Sequence, residues 1–352
     1  MSGFDEYKRL GEPDKMEKLG NWQTAIGLQD VDGLKPSDYL IETAKQNIDG
    51  IITISDVKDR LNAYYKTKEK RIDDDDRTEE ADKTSAHIAE ILAEKTFTFS
   101  SAELISIHRR LFTGIYIFAG IIRDYNITKD EWVLNGDTVL YASFDSICET
   151  LDYDFVQEKK FDYKGLNTKQ KIEHIADFIS GTWQIHPFGE GNTRAAAVFL
   201  IKYLRSMGFA VSNDLFAGHS WYFRNALVRA NYNKHITGGY PTMEYLLRFF
   251  GNLLLGEKNM LRNRDMRIRT EADGGENKVQ NKVQNKVQND ILEILANNPN
   301  ITQKELAEFI GKSERTTKTI MSEMREQNLI IRSGSKKSGY WKIKSSTPND
   351  FG

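Results

Sequence analysis

The ten residues 185–194, Ile-His-Pro-Phe-Gly-Glu-Gly-Asn-Thr-Arg, constrain the fold most, and they run directly into an apolar segment. Before them, apolar residues recur with the helical period at Ile172, Ile175, Ile179 and Trp183. Pro187 disfavours helical geometry at the residue before it, and the two glycines permit a tight turn. The stretch therefore predicts a helix, a tight loop and a second helix whose first N–H groups face the loop.

The predicted loop carries side chains that suit nucleotide chemistry. His186 can take a proton near neutral pH. Glu190 can hold Mg²⁺, which prefers hard oxygen ligands and usually bridges carboxylate to phosphate. Asn192 can donate to a phosphate oxygen, and Arg194 can clamp another beside a helix N-terminus that attracts anions. These residues predict a nucleotide site for transfer to a hydroxyl, although hydrolysis needs similar groups and stays open.

The run His-Pro-Phe-Gly-Glu-Gly-Asn-Thr-Arg resembles the signature of the Fic family (filamentation induced by cAMP), His-x-Phe-x-Asp/Glu-Gly-Asn-Gly/Lys-Arg. The resemblance implies a mainly α-helical, Fic-type core. It also implies a protein adenylyltransferase that uses ATP and Mg²⁺ to move AMP onto a Ser, Thr or Tyr hydroxyl of a target protein. The roles it implies are a base at His186, a metal ligand at Glu190, and nucleotide contacts at Gly189, Gly191, Asn192, Thr193 and Arg194.

Two positions depart from the family pattern. Thr193 stands where Gly or Lys is usual, and Ala197 stands where many members carry a second Arg. In those members the second Arg helps to bind the γ-phosphate and pairs with an inhibitory Glu. The departures leave open a different nucleotidyl or phosphoryl transfer to protein, for example of UMP or phosphate.

Length and composition set the broad class. A chain of 352 residues predicts two or three domains. The formal net charge of −2 excludes a general bias toward nucleic acid, and the single cysteine, Cys148, excludes an internal disulfide framework. No apolar run approaches the roughly 18 residues that span a bilayer. We expect a cytoplasmic protein with no membrane partner, and the oligomeric state stays open.

Residues 1–66 are predicted to form a helical segment that is too small to bury a core alone and therefore docks on a larger domain. The segment resembles the small antitoxin proteins that block Fic toxins through an inhibitory Ser/Thr-x-x-x-Glu-Gly helix. Here Leu28 and Asp32 occupy the hydroxyl and Glu positions. The resemblance makes Asp32 the candidate inhibitory residue, and with Ala197 opposite, its remaining candidate partner is Arg194. A docking segment without regulation is the alternative.

Residues 67–262 are predicted to form the catalytic domain. Near its start, the acidic run at 73–76 is predicted to be a solvated loop. Asn135-Gly136 between two apolar stretches predicts a two-residue hairpin. The family resemblance makes this hairpin a flap that pairs with the target's backbone; a plain surface hairpin is the alternative. Arg123 and Lys129, just ahead, are expected to add positive charge near the site. The candidate target-binding residues are Trp132, Val133, Leu134, Val139 and Leu140.

A helix is predicted over 219–231. The resemblance makes Tyr222, Asn225 and Asn231 candidates for contact with the adenine and ribose, because family members use a Tyr and an Asn in this region. An amphipathic aromatic stripe that belongs to the core is the alternative.

The C-terminal part reads as a linker and a separate small domain. Residues 263–289 contain three Asn-Lys-Val-Gln repeats and are predicted to be the linker. Residues 290–345 resemble a winged helix-turn-helix, with Arg315 and Lys318 on the recognition helix and Lys336 and Lys337 in the wing. Contact with DNA and docking of a protein both stay open. A second hypothesis for the whole chain is therefore a DNA-binding regulator whose nucleotide site only senses ATP.

Overall fold

The computed structural model describes residues 13–67, 73–211, 214–233 and 240–268. In the C-terminal part it describes 291–292, 294–295, 299, 301–310, 314–326, 329–333 and 340–343. The chain divides into two compact units, residues 1–268 and 269–352. The prediction of a mainly α-helical protein is confirmed, because helices make up most of the first unit and the named strands lie in the second.

The described part of the N-terminal segment contains three helices and a short 3₁₀ turn over Leu28–Asp32. The helices are α1 (Pro13–Gly27), α2 (Asp38–Ile48) and α3 (Ile54–Thr67). Local polar groups start two of them: the Ser37 hydroxyl accepts from the Leu40 N–H before α2, and Thr53 and Asp56 exchange bonds at the start of α3.

The remaining helices of the first unit include one buried helix, α8. They are α4 (Asp73–Ala93), α5 (Ser101–Phe112), α6 (Ile147–Lys160), α7 (Thr168–Ile185), α8 (Asn192–Ser206), α9 (Asp214–Asn231) and α10 (Glu244–Leu255). Every residue from Asn192 to Leu204 is buried, as expected for a helix that packs against neighbours on all sides. The acidic run at 73–76, predicted to be a loop, instead forms the first turn of α4.

The N-terminal segment shares the core of this unit. Trp22 and Leu28 are buried in the same hydrophobic cluster as the residues of α8. Gly27 passes so close to α9 that a Cβ added there would lie 2.4 Å from the Ala217 Cα. The Ser220 hydroxyl donates to the Gly27 carbonyl at 2.6 Å. The segment is therefore an integral part of the packed unit, and its removal would expose apolar surface on α4 and α9.

The first unit also includes residues 263–268, which we assigned to the linker. Asn263–Met266 forms a 3₁₀ turn, Met266 is fully buried, and the Ile268 N–H donates to the Val133 carbonyl at 2.9 Å. These six residues pack on the first unit because the buried methionine anchors them. The rest of the predicted linker, 269–289, lies outside the described residues.

The second unit has a helix-turn-helix followed by a two-stranded sheet. Its described elements are α11 (Gln303–Phe309), α12 (Glu314–Glu326), β1 (Ile330–Ser333) and β2 (Tyr340–Ile343). The strands are antiparallel, with Ile330 opposite Ile343. Leu306, Met321 and Trp341 belong to its separate hydrophobic cluster. This arrangement confirms the predicted winged helix. No described helix of either unit is long and apolar enough to cross a bilayer.

Candidate active site

The loop between α7 and α8 is braced by its own asparagine. The Asn192 amide nitrogen donates to the Phe188 carbonyl at 2.7 Å, and the amide oxygen accepts from the Phe188 N–H at 2.9 Å. Gly191 has a φ of +77°, and a Cβ there would lie 2.3 Å from the Phe112 ring. Both the oxygen and the nitrogen of the Asn192 amide, a candidate phosphate donor, thus form hydrogen bonds that hold the loop in shape.

His186 is held as a neutral imidazole. It caps α7 with a left-handed φ of +51°, and its Nδ1 lies 3.2 Å from the Trp183 carbonyl. A carbonyl can only accept, so Nδ1 carries the proton and Nε2 keeps a lone pair. Burial lowers the pKa of His186 well below its ordinary value, and Lys129 adds to the effect. The predicted base is therefore in its proton-accepting form at neutral pH.

Arg123 ties the backbone around His186 together. Its guanidinium donates to the carbonyls of His186 at 2.8 Å and Ile185 at 3.3 Å, and also to those of Tyr125 and Ala142 at 2.6 Å. The sequence suggested only a nearby positive charge. The structure shows a clamp on the C-terminal end of α7, where free carbonyls and the helix dipole favour a cation.

His108 performs a similar structural role behind the loop. The Gly120 N–H donates to Nδ1 at 2.9 Å, so Nε2 carries the proton and donates to the Glu190 carbonyl at 2.9 Å. The imidazole also stacks on the Phe188 ring with the centroids 3.7 Å apart. Burial lowers the pKa of His108 to about 4. This neutral histidine therefore supports the peptide of Glu190.

Arg194 is fully buried and tied to the N-terminal half of the chain. Its Nε lies 2.9 Å from the Asp32 carboxylate as an ion pair without hydrogen-bond alignment, and its Nη2 donates to Glu80 at 2.6 Å. Nη1 donates to the Gln29 amide oxygen at 3.1 Å. The candidate pairing of Asp32 with Arg194 is thus present in the structure. Glu80 and Gln29 are partners that the sequence did not indicate.

Arg194, Asp32 and Glu80 line a cavity of about 700 Å³. That volume is typical of small-molecule sites. The lining includes carboxylates from both the N-terminal segment and α4, together with three guanidinium groups. Its polar and aromatic residues are Asp30, Asp32, Arg77, Glu80, Tyr116, Glu190, Arg194, Trp221 and Arg224.

Glu190 is the predicted metal ligand. Its side chain is 53% exposed at the cavity, where the Lys129 ammonium lies 3.0 Å from the carboxylate. The described residues contain no group of three or more His, Cys, Asp or Glu side chains that could hold a metal ion by themselves. Mg²⁺ usually takes one or two carboxylates plus substrate phosphates, so an accessible carboxylate on a nucleotide-sized cavity fits this ion.

Two other predicted nucleotide contacts lie within the loop packing. The Thr193 hydroxyl accepts from the Trp183 indole N–H at 2.9 Å and is buried. Its side chain therefore faces the core between α7 and α8, where it does not narrow the loop. Gly189 passes under Tyr125, since a Cβ there would lie 2.7 Å from the tyrosine oxygen.

The structure places Tyr222, Asn225 and Asn231 away from the cavity lining. Tyr222 and Asn225 are buried, and the Asn225 amide donates to the Asn263 side chain at 2.9 Å. Asn231 donates to Ser180 on α7. None of the three lines this cavity, because the face of α9 that meets it is the adjacent one, with Trp221 and Arg224. Their contact with adenine and ribose stays a prediction.

The flap has the predicted turn but lacks the predicted strands. Asn135 and Gly136 both have positive φ, and a single antiparallel bridge joins Glu131 to Asp137. A 3₁₀ turn over Trp132–Leu134 stands where the first strand of the hairpin was predicted. Val133, Leu134 and Val139 are buried and cannot meet a target, whereas Trp132 and Leu140 are 46% and 84% exposed. Of the five candidate target-binding side chains, these two are therefore the exposed ones, and their contact with a target stays a prediction.

In the second unit, the described face of α12 is positively charged. Lys318, Ser322 and Arg325 are exposed at helical spacing, beside the buried Thr317, Met321 and Met324. Arg315 lies in the first turn of α12. The predicted wing residues Lys336 and Lys337 lie outside the described residues.

Comparison with known proteins gives two matches to families. Residues 98–204 match the Fic/DOC family, and residues 284–331 match a family described as winged helix-turn-helix DNA-binding. The protein adenylyltransferase VbhT of Bartonella schoenbuchensis is 25% identical over 116 residues, which cover 33% of this chain and 23% of that protein. The chain therefore matches about a quarter of this relative's length.

Two crystal structures are also similar. The N-terminal Fic domain of a Bartonella effector protein (Bep) from Bartonella sp. AR 15-3 is 21% identical with a TM-score of 0.41, over 51% of this chain and 82% of that one. A Fic family protein from Desulfovibrio desulfuricans G20 is 13% identical with a TM-score of 0.44, over 97% of this chain and 91% of that one. From the match of residues 98–204, which include the whole 186–194 loop, the chain contains a Fic/DOC domain.

Proposed function

We propose that this chain is a protein adenylyltransferase that moves AMP from ATP to a Ser, Thr or Tyr hydroxyl of a target protein. The observation that carries the proposal is the neutral His186, whose Nδ1 is occupied by the Trp183 carbonyl and whose Nε2 keeps its lone pair. It lies in the same short loop as Glu190, and Arg194 lies in the first turn of the helix that follows. Glu190 and Arg194 line a nucleotide-sized cavity. The similarity to the adenylyltransferase VbhT supports the same reaction.

The proposed reaction is a single displacement at phosphorus. His186 Nε2 takes the proton of the target hydroxyl, and the hydroxyl oxygen forms a bond to the α-phosphorus of ATP. The bond between that phosphorus and the bridging oxygen breaks, and pyrophosphate leaves. His186 then passes its proton to solvent or to the leaving group. The first N–H groups of α8 and the Arg194 guanidinium are suited to the phosphate charge.

Glu190 is the residue that would hold Mg²⁺. The ion supplies charge neutralisation on the phosphates when it is bound. Lys129, which now pairs with Glu190, would have to release the carboxylate, and its ammonium would then be free to contact phosphate. The chain's own contribution is to keep Glu190 accessible and its peptide fixed through His108.

We further propose that the observed form is held inactive through Arg194. A guanidinium that pairs with Asp32 and Glu80 has to exchange these partners before it can clamp a phosphate. Asp32 belongs to the antitoxin-like segment and Glu80 to α4, so both segments take part in the restraint. This is the inhibitory role predicted for Asp32. Its partner is Arg194, because the position of the second family arginine is occupied by Ala197.

The experiment is incubation with ATP labelled at the α- or the γ-phosphate, in the presence of Mg²⁺ and a cell lysate. Adenylyl transfer predicts a protein band labelled only by α-labelled ATP, because the γ-phosphate departs in pyrophosphate. Transfer of label from the γ-phosphate would instead support the alternative of phosphoryl transfer.

A second function, DNA binding by the winged helix, is favoured by the exposed Lys318 and Arg325 on α12. If these residues neutralise phosphates, each alanine substitution should weaken binding to all DNA sequences. It should also reduce the slope of log K against log salt by about one unit. Fluorescence anisotropy with a labelled duplex measures both effects, and Lys164→Ala on the first unit is the matched control. An unchanged slope in both variants would point to protein docking instead.

A further inference from the structure

Arg224 lines the same cavity as Arg194, and a buried carboxylate holds it from one side. Glu131 is fully buried and accepts from Nη1 at 2.6 Å and from Nη2 at 3.1 Å. The Tyr141 hydroxyl donates to the same carboxylate at 3.1 Å. The guanidinium of Arg224 also lies over the Trp221 ring, 5.2 Å from its centroid. These contacts fix both the position and the orientation of the Arg224 guanidinium.

This geometry leaves donors available. A guanidinium has about five N–H donors in a fixed fork, and Glu131 takes one from each terminal nitrogen. The Nε–H and the second N–H of each terminal nitrogen have no partner among the residues that the structure describes. The Nε edge therefore presents a second fork of the shape that binds phosphate through two parallel bonds.

Arg194, in the same cavity, already pairs with carboxylates of the chain. It is held by Asp32 and Glu80. Ala197, one helical turn after Arg194, is fully buried and presents no polar group. Arg224, by contrast, needs no partner exchange before it can bind, because Glu131 lies on the side away from its open donors.

We propose that Arg224 binds the phosphate chain of ATP, with Glu131 as its positioning residue; this inference rests on the proposed function. The Glu131–Arg224 pair is neutral as a whole, so its attraction for phosphate comes from short charge-assisted hydrogen bonds rather than from net charge. Because Glu131 begins the flap, the same carboxylate connects the flap with the nucleotide site.

The test compares ATP with adenosine in titration calorimetry of the full chain with Mg²⁺. Arg224 cannot be removed alone, since a buried carboxylate without its partner is strongly destabilising. Glu131→Gln, which keeps the arginine, is therefore the matched control for Glu131→Gln/Arg224→Gln. We expect the double variant to bind ATP about tenfold more weakly than Glu131→Gln, as for the loss of a charged hydrogen bond. Adenosine, which lacks phosphate, should bind both variants equally.

The outcomes separate the inference from the proposed function. Equal ATP affinity in the two variants, or an equal loss of ATP and adenosine, would overturn the role of Arg224 while leaving adenylyl transfer intact. Glu80→Gln weakens the hold on Arg194 and is therefore a second form in which ATP binding can be measured. If neither the wild type nor Glu80→Gln binds ATP, the role of Arg224 and the proposed function are both overturned.

Discussion

Replacing Glu80 with glutamine removes one of the two carboxylates that hold Arg194. Glu80 is 17% exposed, and its carboxylate accepts from Arg194 Nη2 at 2.6 Å. Glutamine keeps the size and an amide oxygen that can still accept, while the negative charge is lost. Asp32→Asn makes the same change on the other side of the guanidinium, where the side chain is 31% exposed. In each single variant Arg194 keeps one carboxylate partner.

The expected gain follows from the strength of a charged hydrogen bond. A hydrogen bond between two charged groups lies toward the top of the range of about 1.5–3 kcal/mol for charged bonds. The bond to glutamine, in which only the arginine is charged, lies near the bottom of that range. Exchange of carboxylate for amide therefore weakens the restraint by about 1–1.5 kcal/mol, which corresponds to roughly a tenfold change in the equilibrium. Asp32→Asn should gain less, because its more exposed carboxylate is better screened by solvent.

The assay is the initial rate of protein labelling from α-labelled ATP at a concentration below saturation, where release of Arg194 affects ATP binding. Asp30→Asn is the matched control. It removes the same charge from the same cavity, and the exposed Asp30 makes no contact with Arg194 among the described residues. Thermal unfolding of each variant shows whether the substitution has disturbed the fold.

Two results would refute this reasoning. If Glu80→Gln and Asp32→Asn both label protein at the wild-type rate, the contacts to Arg194 do not restrain the enzyme. If Asp30→Asn increases the rate as much as they do, the effect is one of cavity charge and not of Arg194. Deletion of residues 1–66 is a poorer test, because these residues share the core with α4 and α9.

Three more predictions concern the loop itself. His186→Ala should reduce labelling by about 100-fold or more, which is the usual contribution of a positioned base. A thermal unfolding transition like that of the wild type is the control that the variant is folded. A residual rate near a tenth of wild type would contradict the assignment of His186 as the base. Since burial keeps the pKa of His186 below its ordinary value, labelling should stay level as pH falls from about 8 to 6.5 and decline only below that. A decline centred above about pH 7 would contradict a neutral, buried base. Gly191→Ala should lower the free energy of unfolding by about 1–3 kcal/mol more than Gly208→Ala in urea denaturation. Both glycines have positive φ, but only the Cβ at 191 meets the Phe112 ring, so equal losses would show that the ring moves aside.

The linkage of His186 to stability has a definite sign. Its pKa is lower in the folded chain than in the unfolded chain, so the unfolded state binds the proton first. The contribution of this group is fully present above the ordinary histidine pKa of about 6.5 and is lost as pH falls below it. Acid destabilisation therefore begins before His186 itself is protonated in the folded protein.

The local features of the fold could be predicted from the sequence. Apolar periodicity predicts α7, and the apolar run after the tight loop predicts α8. The Asn135-Gly136 turn has the positive φ values that its residue types favour. Each of these features depends on residues a few positions apart, which is the range over which sequence patterns carry information.

The features that could not be predicted depend on distant contacts. Glu80 in α4 and Arg194 in α8 are 114 positions apart in the sequence. No spacing rule connects two helices at that distance. The cavity-facing side of α9 depends on how the helix packs. That packing selects Trp221 and Arg224 in place of Tyr222 and Asn225. In the flap, Val133 and Leu134 are buried in one 3₁₀ turn, where the Asn135-Gly136 signal predicted a strand.

The most direct test of the proposed function is mass spectrometry of the labelled target after reaction with the Glu80→Gln chain, beside the same chain with His186→Ala added. The account predicts a peptide that carries one AMP group on a Ser, Thr or Tyr hydroxyl, and its absence when His186 is replaced. A modified peptide that carries phosphate or another nucleotide, or an AMP adduct that persists without His186, would contradict it.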